Sequence, residues 1–341
     1  MDNLTHTLTG IALGQAGLKH KTRYAMLALI IASNLPDIDI VAATKGGINY
    51  LADHRGITHS LLGLTGLAGI LAAVIFFLGR RASPKRHAPP VSLKWLFLIC
   101  WTATACHVLM DFTNQYGIRP FLPFSGRWVA WDIMPIIGPY LLFFLIVGLG
   151  LPIILKLVTE EVGAGKSASK MARKGALFSL YAMVALWGLR DLSHRRALSM
   201  LNARLYGGEL PLQSGAFPSP LNPFQWNGVV ETASSYYLLD VDVLISNIGD
   251  QKATRLYKPD SSPALIAAEK TPAAKIFLNF ARFPLATVRS SHDSGFEVYF
   301  RDLRFALPGS QLWRFVMEID LDGHLRVRGQ SFSFAREKSV R

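Results

Sequence analysis

The sequence is short of acid. Its 341 residues hold 23 Asp and Glu against 36 Lys and Arg, a formal charge of +13. The shortage is concentrated in the first part, where residues 1–195 contain only nine acids. Charged residues of both signs make up 17% of the chain and hydrophobic ones 50%, which excludes a disordered protein. Cysteine is nearly absent. Cys100 and Cys106 are the two present, and six residues apart on a helix they stand about 9 Å apart along the axis on different faces, so they are packing residues and not a disulfide. Basic residues are also missing ahead of the first apolar stretch. Lys19, Lys21 and Arg23 follow residues 4–18 instead, the reverse of a cleaved signal peptide, which makes this stretch a retained short helix.

What the first part has is long apolar runs. Residues 60–79, 95–110 and 133–155 carry no formal charge, and shorter runs lie at 24–36 and 175–189. A bilayer core takes about 20 apolar residues of helix, so residues 1–195 read as an all-α polytopic membrane bundle of about six helices. Thirteen basic residues fall in one set of loops: Lys19, Lys21 and Arg23; Arg80, Arg81, Lys85, Arg86 and Lys94; Lys156, Lys166, Lys170, Arg173 and Lys174. The alternate loops, 45–57 and 113–132, carry Lys45, Arg55, Arg119 and Arg127 alone. The positive-inside rule then puts the N-terminus, these two loops and everything after the sixth helix outside the cytoplasm. The basic excess of this part is a topology signal, and no nucleic-acid binding is expected.

After Arg195 apolar runs give way to alternation. Phe296, Val298 and Phe300 alternate with Glu297, Tyr299 and Arg301, and residues 315–320 are followed by Asp322-Gly323, then Leu325 and Val327, which predicts strands joined at a tight turn. Residues 207–223 are rich in Gly, Pro and Ser. The expected layout is a linker over 196–225 and a small β-rich extracytoplasmic domain over 226–341. His292 and His324 stand alone there, without metal-ligand spacing.

The few acids of the membrane part are not scattered. Asp37 and Asp39 follow Pro36 at the end of the second helix, Asp53 precedes His54, Asp111 ends the fourth helix and Asp132 opens the fifth. The histidines repeat the pattern at His6, His54, His59 and His107. Under the charge-derived topology all of these meet one membrane face, where ionisable groups are costly and pair, bind ions or do chemistry. His107 and Asp111, at i and i+4, share a helix side. Each signal taken singly has a plainer reading: a helix-helix hydrogen bond for His107 with Asp111, a solvated helix stop for 35–39, a capping role for Thr58 or Ser60. Together they form a mixed imidazole and carboxylate set suited to Zn²⁺, or to Mn²⁺ or Fe²⁺, with enough donors for more than one ion.

Thr5-His6 with Gly10, Leu35-Pro-Asp-Ile-Asp39, His54-Arg-Gly-Ile-Thr-His-Ser60, His107 with Asp111, and Trp131-Asp132 resemble the bacterial YdjM-like group of membrane-bound metal-dependent hydrolases over roughly residues 1–190. That group is in turn similar in His/Asp pattern to zinc-dependent phospholipase C and P1-type nucleases, whose His-x-x-x-Glu/Asp helix pair His107 and Asp111 resemble. The resemblance implies a metal-assisted phosphoester hydrolase in the bacterial inner membrane. The expected metal ligands are His6, Asp37, Asp39, His54, His59, His107 and Asp111, with Zn²⁺ favoured. Arg55 is expected to clamp a phosphate and Asp132 to act as general base or as partner of a liganding histidine. The expected partners are membrane lipid and a small or lipid phosphoester substrate. The alternative is a protein that binds or moves divalent ions or protons through the same cluster.

Overall fold

The computed structural model describes residues 1–82, 89–161, 168–291, 294–306 and 312–337. Lys85, Arg86 and Lys166 of the loop-charge pattern, and His87 and His292, lie outside the described residues. The chain forms two compact units, Met1–Asp39 with Arg55–Asp191, and Ile40–His54 with Leu192–Arg341.

The helices of the first part are α1 (Asn3–Ala16), α2 (Ala25–Ala32), α3 (Gly47–Asp53), α4 (Leu61–Arg81), α5 (Leu93–Phe112), α6 (Pro139–Glu161) and α7 (Ala168–Asn202). Their starts follow from capping chemistry. Asp2 accepts the amide of Thr5 at 2.9 Å, Ser60 that of Gly63 at 3.0 Å and Ser92 that of Trp95 at 3.4 Å, each satisfying an amide with no partner inside its helix. Three stretches, Ala25–Lys45, Leu61–Arg81 and Leu93–Phe112, are long and apolar enough to cross a membrane, and Pro139–Leu155 is a shorter apolar helix. α4 shows the inside-out pattern that lipid selects: Ala68 and Ala72 are buried, while Ile70, Val74, Phe77 and Leu78 are exposed. In water such a face would be an aggregation site.

Two expectations change. The fifth helix starts at Pro139 and not at 133, because Pro135 and Pro139 hold the residues before them out of helical backbone and proline is at home in the first helical position. Asp132 therefore opens no helix; it lies in the preceding irregular segment at φ 61°. Residues 196–225, read as a linker, are also structured: α7 continues to Asn202 and a strand occupies Gln213–Pro218.

The second unit carries two antiparallel four-stranded sheets, each a meander in sequence order. The first comprises β1 (Gln213–Pro218), β2 (Gln225–Glu231), β3 (Ser235–Asp242) and β4 (Asn247–Tyr257). Then come α8 (Pro263–Glu269) and α9 (Pro272–Phe280), each begun by a Ser or Thr cap followed by proline. The second sheet comprises β5 (Pro284–Ser290), β6 (Phe296–Asp302), β7 (Leu312–Leu321) and β8 (Val327–Glu337). The three strands read from alternation are β6, β7 and β8. Asp322 makes the turn between the last two by accepting the amides of Arg326 and His324 at 2.8 Å each, bonds that hold its carboxyl below the ordinary carboxylate range. Phe217 and Leu238 of the first sheet share a core with Phe283 and Leu285. α3 belongs to this unit: it packs on α9 and β8, with Tyr50 edge-on to Phe334 at 5.5 Å.

Candidate metal centre

All four residues of the centre, Asp37, His59, His107 and Asp111, lie in the first unit and come from three separate stretches of chain. α2 ends at Ala32, and the 3-10 turns over Leu35–Lys45 present Asp37. A second 3-10 turn, Ile57–His59, presents His59 just before α4. α5 supplies His107 and Asp111 one turn apart, with both side chains inward and under 2% exposed.

The donor atoms have one arrangement in common. His59 Nε2 and His107 Nε2 are 3.2 Å apart. Asp37 Oδ1 is 3.5 Å from each of them, and Asp111 Oδ2 is 3.4 Å from His59 Nε2 and 3.6 Å from His107 Nε2. Four ligands at about 2.0–2.1 Å from one tetrahedral ion stand about 3.3–3.4 Å from each other. Five edges of the figure therefore match a tetrahedral cation. The two carboxylates also balance a divalent charge inside an apolar bundle, where an unbalanced one would be costly. Asp111 Oδ2 is buried with no hydrogen-bond partner, the condition of an atom whose natural partner is an ion.

The surrounding bonds fix which nitrogen faces inward. His107 Nδ1 donates to the Ser33 carbonyl at 2.7 Å, leaving Nε2 as the lone-pair atom. His59 Nδ1 lies 3.2 Å from Asp39 Oδ2, a carboxylate that also accepts from Thr58 Oγ1 and the Arg55 amide at 2.8 Å each. Asp39, expected as a ligand, thus orients a histidine of the candidate set. Thr58 holds that carboxylate, and the helix cap falls to Ser60.

Arg55, expected as a phosphate clamp, is turned onto the protein in this structure. It sits at φ 52° and is 4% exposed. Its guanidinium reaches Asp111 Oδ1 and Asn114 Oδ1 at 3.0 Å each and the Gly117 carbonyl at 3.2 Å, and lies 4.8 Å over the Tyr116 ring. With both terminal nitrogens turned onto the protein, it holds the second oxygen of Asp111 and so aims the first. Asn114 and Tyr116 carried no sequence signal, because nothing in their spacing marks them as neighbours of residue 55.

His6 borders the centre without joining the four. Its ring stacks on His107 at 3.8 Å, its Nε2 is 3.5 Å from Asp111 Oδ1, and both its nitrogens are buried without a hydrogen-bond partner. The amino group of Met1 also contacts Asp111. A Cβ on Gly10 would fall 2.3 Å from Ser33 Oγ, so this glycine lets α1 lie close enough to α2 to bring His6 to the centre. His54 is placed elsewhere: it belongs to the second unit and stacks on Tyr50 at 4.5 Å. Asp132 is not among the four either. Its neighbours tie it to the end of α5, Trp131 donating to the Phe112 carbonyl at 2.8 Å and Ile133 to that of Thr113 at 2.9 Å.

Fold and site define a polytopic helical membrane protein with a buried His/Asp cluster fit for a cation. Residues 1–196 match the YdjM inner membrane protein family, and the chain belongs to that family. Residues 263–341 match the YfhP C-terminal alpha/beta plait domain. Over 352 aligned residues the chain is 25% identical to "Uncharacterized protein YfhP" of Bacillus subtilis (strain 168), covering 99% of this chain and 97% of that one. No solved structure matches the chain.

Proposed function

We propose that this protein is an inner-membrane metal-dependent hydrolase acting on a phosphoester, with Zn²⁺ as the favoured ion and a lipid headgroup as the favoured substrate. The observation that carries the reading is the tetrahedral His59, His107, Asp37 and Asp111 set, open on one side: the Asp37 side chain is 16% exposed while the other three are 1% or less. A divalent ion held by Asp37, His59, His107 and Asp111 would supply Lewis acidity to a phosphoryl oxygen and to water. The chain's own groups supply the rest. Asp39 and Ser33 fix the two imidazoles, Arg55 fixes Asp111, and Asp37 yields most readily to an incoming ligand because it is the least enclosed. The unpartnered nitrogens of His6 are placed to hold or pass a proton beside Asp111.

Ion binding or transport is the second reading. What favours it is the ligand count, since four protein donors fill a tetrahedral shell and a catalytic ion needs a free position. The sidedness proposed for the C-terminal unit is extracytoplasmic. Its support is that residues 45–54, within the 45–57 loop assigned outside by the charge rule, fold as part of that unit. Metal analysis of the detergent-purified chain, beside a screen of phosphomonoesters, phosphodiesters and phospholipids, tests the function. Hydrolysis that chelation abolishes and Zn²⁺ or Mn²⁺ restores is the expected result. Bound metal with no turnover between about pH 6 and 9, together with His107-dependent metal uptake into proteoliposomes, would establish the second reading instead.

A further inference from the structure

The first unit holds a second polar feature that the metal centre does not use. α1 ends at Gly17, whose φ of 150° suits glycine, and the 3-10 turn after it displays Lys19, His20 and Lys21. The start of α7, about 150 residues later, brings Lys170 and Arg173 to the same place. The result is a cavity of about 810 Å³ whose wall, among the described residues, is built from these five with Leu13, Gln15, Ala16, Gly17 and Leu18 and contains no acid. Like charges repel, and the positive-inside rule asks only that basic residues share a membrane side, not that two distant segments converge on one cavity.

Three of the cations are already held in position. Lys19 Nζ donates to Gln15 Oε1 at 2.5 Å, Lys21 Nζ stands 4.8 Å over the Trp95 ring, and Arg173 Nε donates to the Ala16 carbonyl at 3.1 Å. None of these partners is an acid, so among the described residues of the wall the positive charge has no counter-charge. Fixed side chains lose less freedom when a ligand arrives. Leu13 and Leu18 give the cavity an apolar side, and both pack on the helix core. Cations beside an apolar wall in a membrane protein match a phosphate diester that carries acyl chains.

We infer that this cavity is a binding site for the headgroup phosphate of an anionic phospholipid, of the cytoplasmic leaflet under the charge-derived topology. It takes the same phosphate chemistry as free inorganic phosphate, and the acyl chains distinguish the two. The site is separate from the metal centre and stands whether or not that centre hydrolyses anything.

Native mass spectrometry of the full chain released from detergent tests it, with phosphatidylglycerol, phosphatidylcholine of the same acyl chains, and inorganic phosphate as probes. Retained phosphatidylglycerol, little phosphatidylcholine and no phosphate adduct are expected. The Lys19→Gln/Lys170→Gln variant should lower phosphatidylglycerol retention about ten-fold. Lys94→Gln, outside the cavity, serves as the control. A salt titration of the unmodified chain supplies an arm that needs no variant: retention should fall as ionic strength rises. Equal retention of the two lipids, salt-independent retention, or an unchanged double variant would overturn the inference. Phosphate adducts without phosphatidylglycerol would assign the cavity to a soluble anion and overturn the lipid assignment.

Discussion

At the residue scale the centre depends on bonds one step removed from the donor atoms. His107→Ala and His59→Ala should each remove most of the metal while the chain still inserts, read by metal analysis of purified protein; full retention in both would remove the case for the centre. Asp39→Asn keeps all four donors but weakens the bond that turns His59 Nε2 inward. Its metal affinity should fall about 10- to 100-fold, as when an outer partner of a liganding histidine is lost. Arg55 gives the sharpest contrast with what its position in the His-Arg-Gly-Ile-Thr-His segment suggested. A phosphate clamp would leave metal binding intact when deleted. Because the guanidinium instead holds Asp111 Oδ1, Arg55→Ala should weaken metal binding itself, measured by competition with a chromophoric chelator. Arg55→Lys should not restore it, since a point charge cannot reach Asp111, Asn114 and Gly117 together.

At the element scale the close approach of α1 to α2 decides whether His6 and Ser33 reach the centre. Gly10→Leu would press a side chain into Ser33 and the Leu29 carbonyl, so metal content should drop along with helix packing although no ligand is touched. In the C-terminal unit the end of α9 is held by a buried ion pair. Arg304 donates from Nε to Asp302 Oδ2 at 2.7 Å and from Nη2 to the Phe280 carbonyl at 2.7 Å, and its guanidinium lies 4.4 Å over the Phe280 ring. Arg304→Ala removes the guanidinium counter-charge of the Asp302 carboxylate, which is 1% exposed and, among the described residues, keeps only the backbone amides of residue 304 and Arg282. The expected cost is about 3–5 kcal/mol, read as an earlier thermal unfolding of this unit with metal content unchanged. α8 and α9 were legible in principle, since Ser262-Pro263 and Thr271-Pro272 are capping signals. Both helices are under ten residues, too short for an apolar period to stand out between strands.

At the scale of the whole molecule, the chain threads its C-terminal unit through the site-bearing stretch. Residues 40–54 leave the first unit directly after Asp39 and return at Arg55, so two residues that orient the centre flank a segment folded with the tail. The proposed sidedness rests on this, because a segment and the unit it folds into share one side of the membrane. Alkaline phosphatase fused after Arg341 should be active. An inactive phosphatase there, with an active cytoplasmic reporter at the same point, would reverse the proposed orientation.

The sequence by itself determined the membrane part, the strand-rich tail and the residue types of the centre. Hydropathy and charge act locally: a 21-residue apolar helix has few alternatives to lipid, and a buried carboxylate or imidazole must find a partner wherever it lies. That is why His59, His107, Asp37 and Asp111 stand out in the sequence, but only together with His6, Asp39 and His54. The tertiary structure alone decided the division of labour among them. Asp39 and Asp37 differ by two residues, yet one bonds the far nitrogen of His59 and the other faces the donor set; Arg55 grips Asp111 of that set; His54 is carried into the other unit by α3. Periodicity carries no such information. These roles depend on which atoms lie within about 3 Å across segments 50 or more residues apart, where bond geometry and not residue type selects the partner.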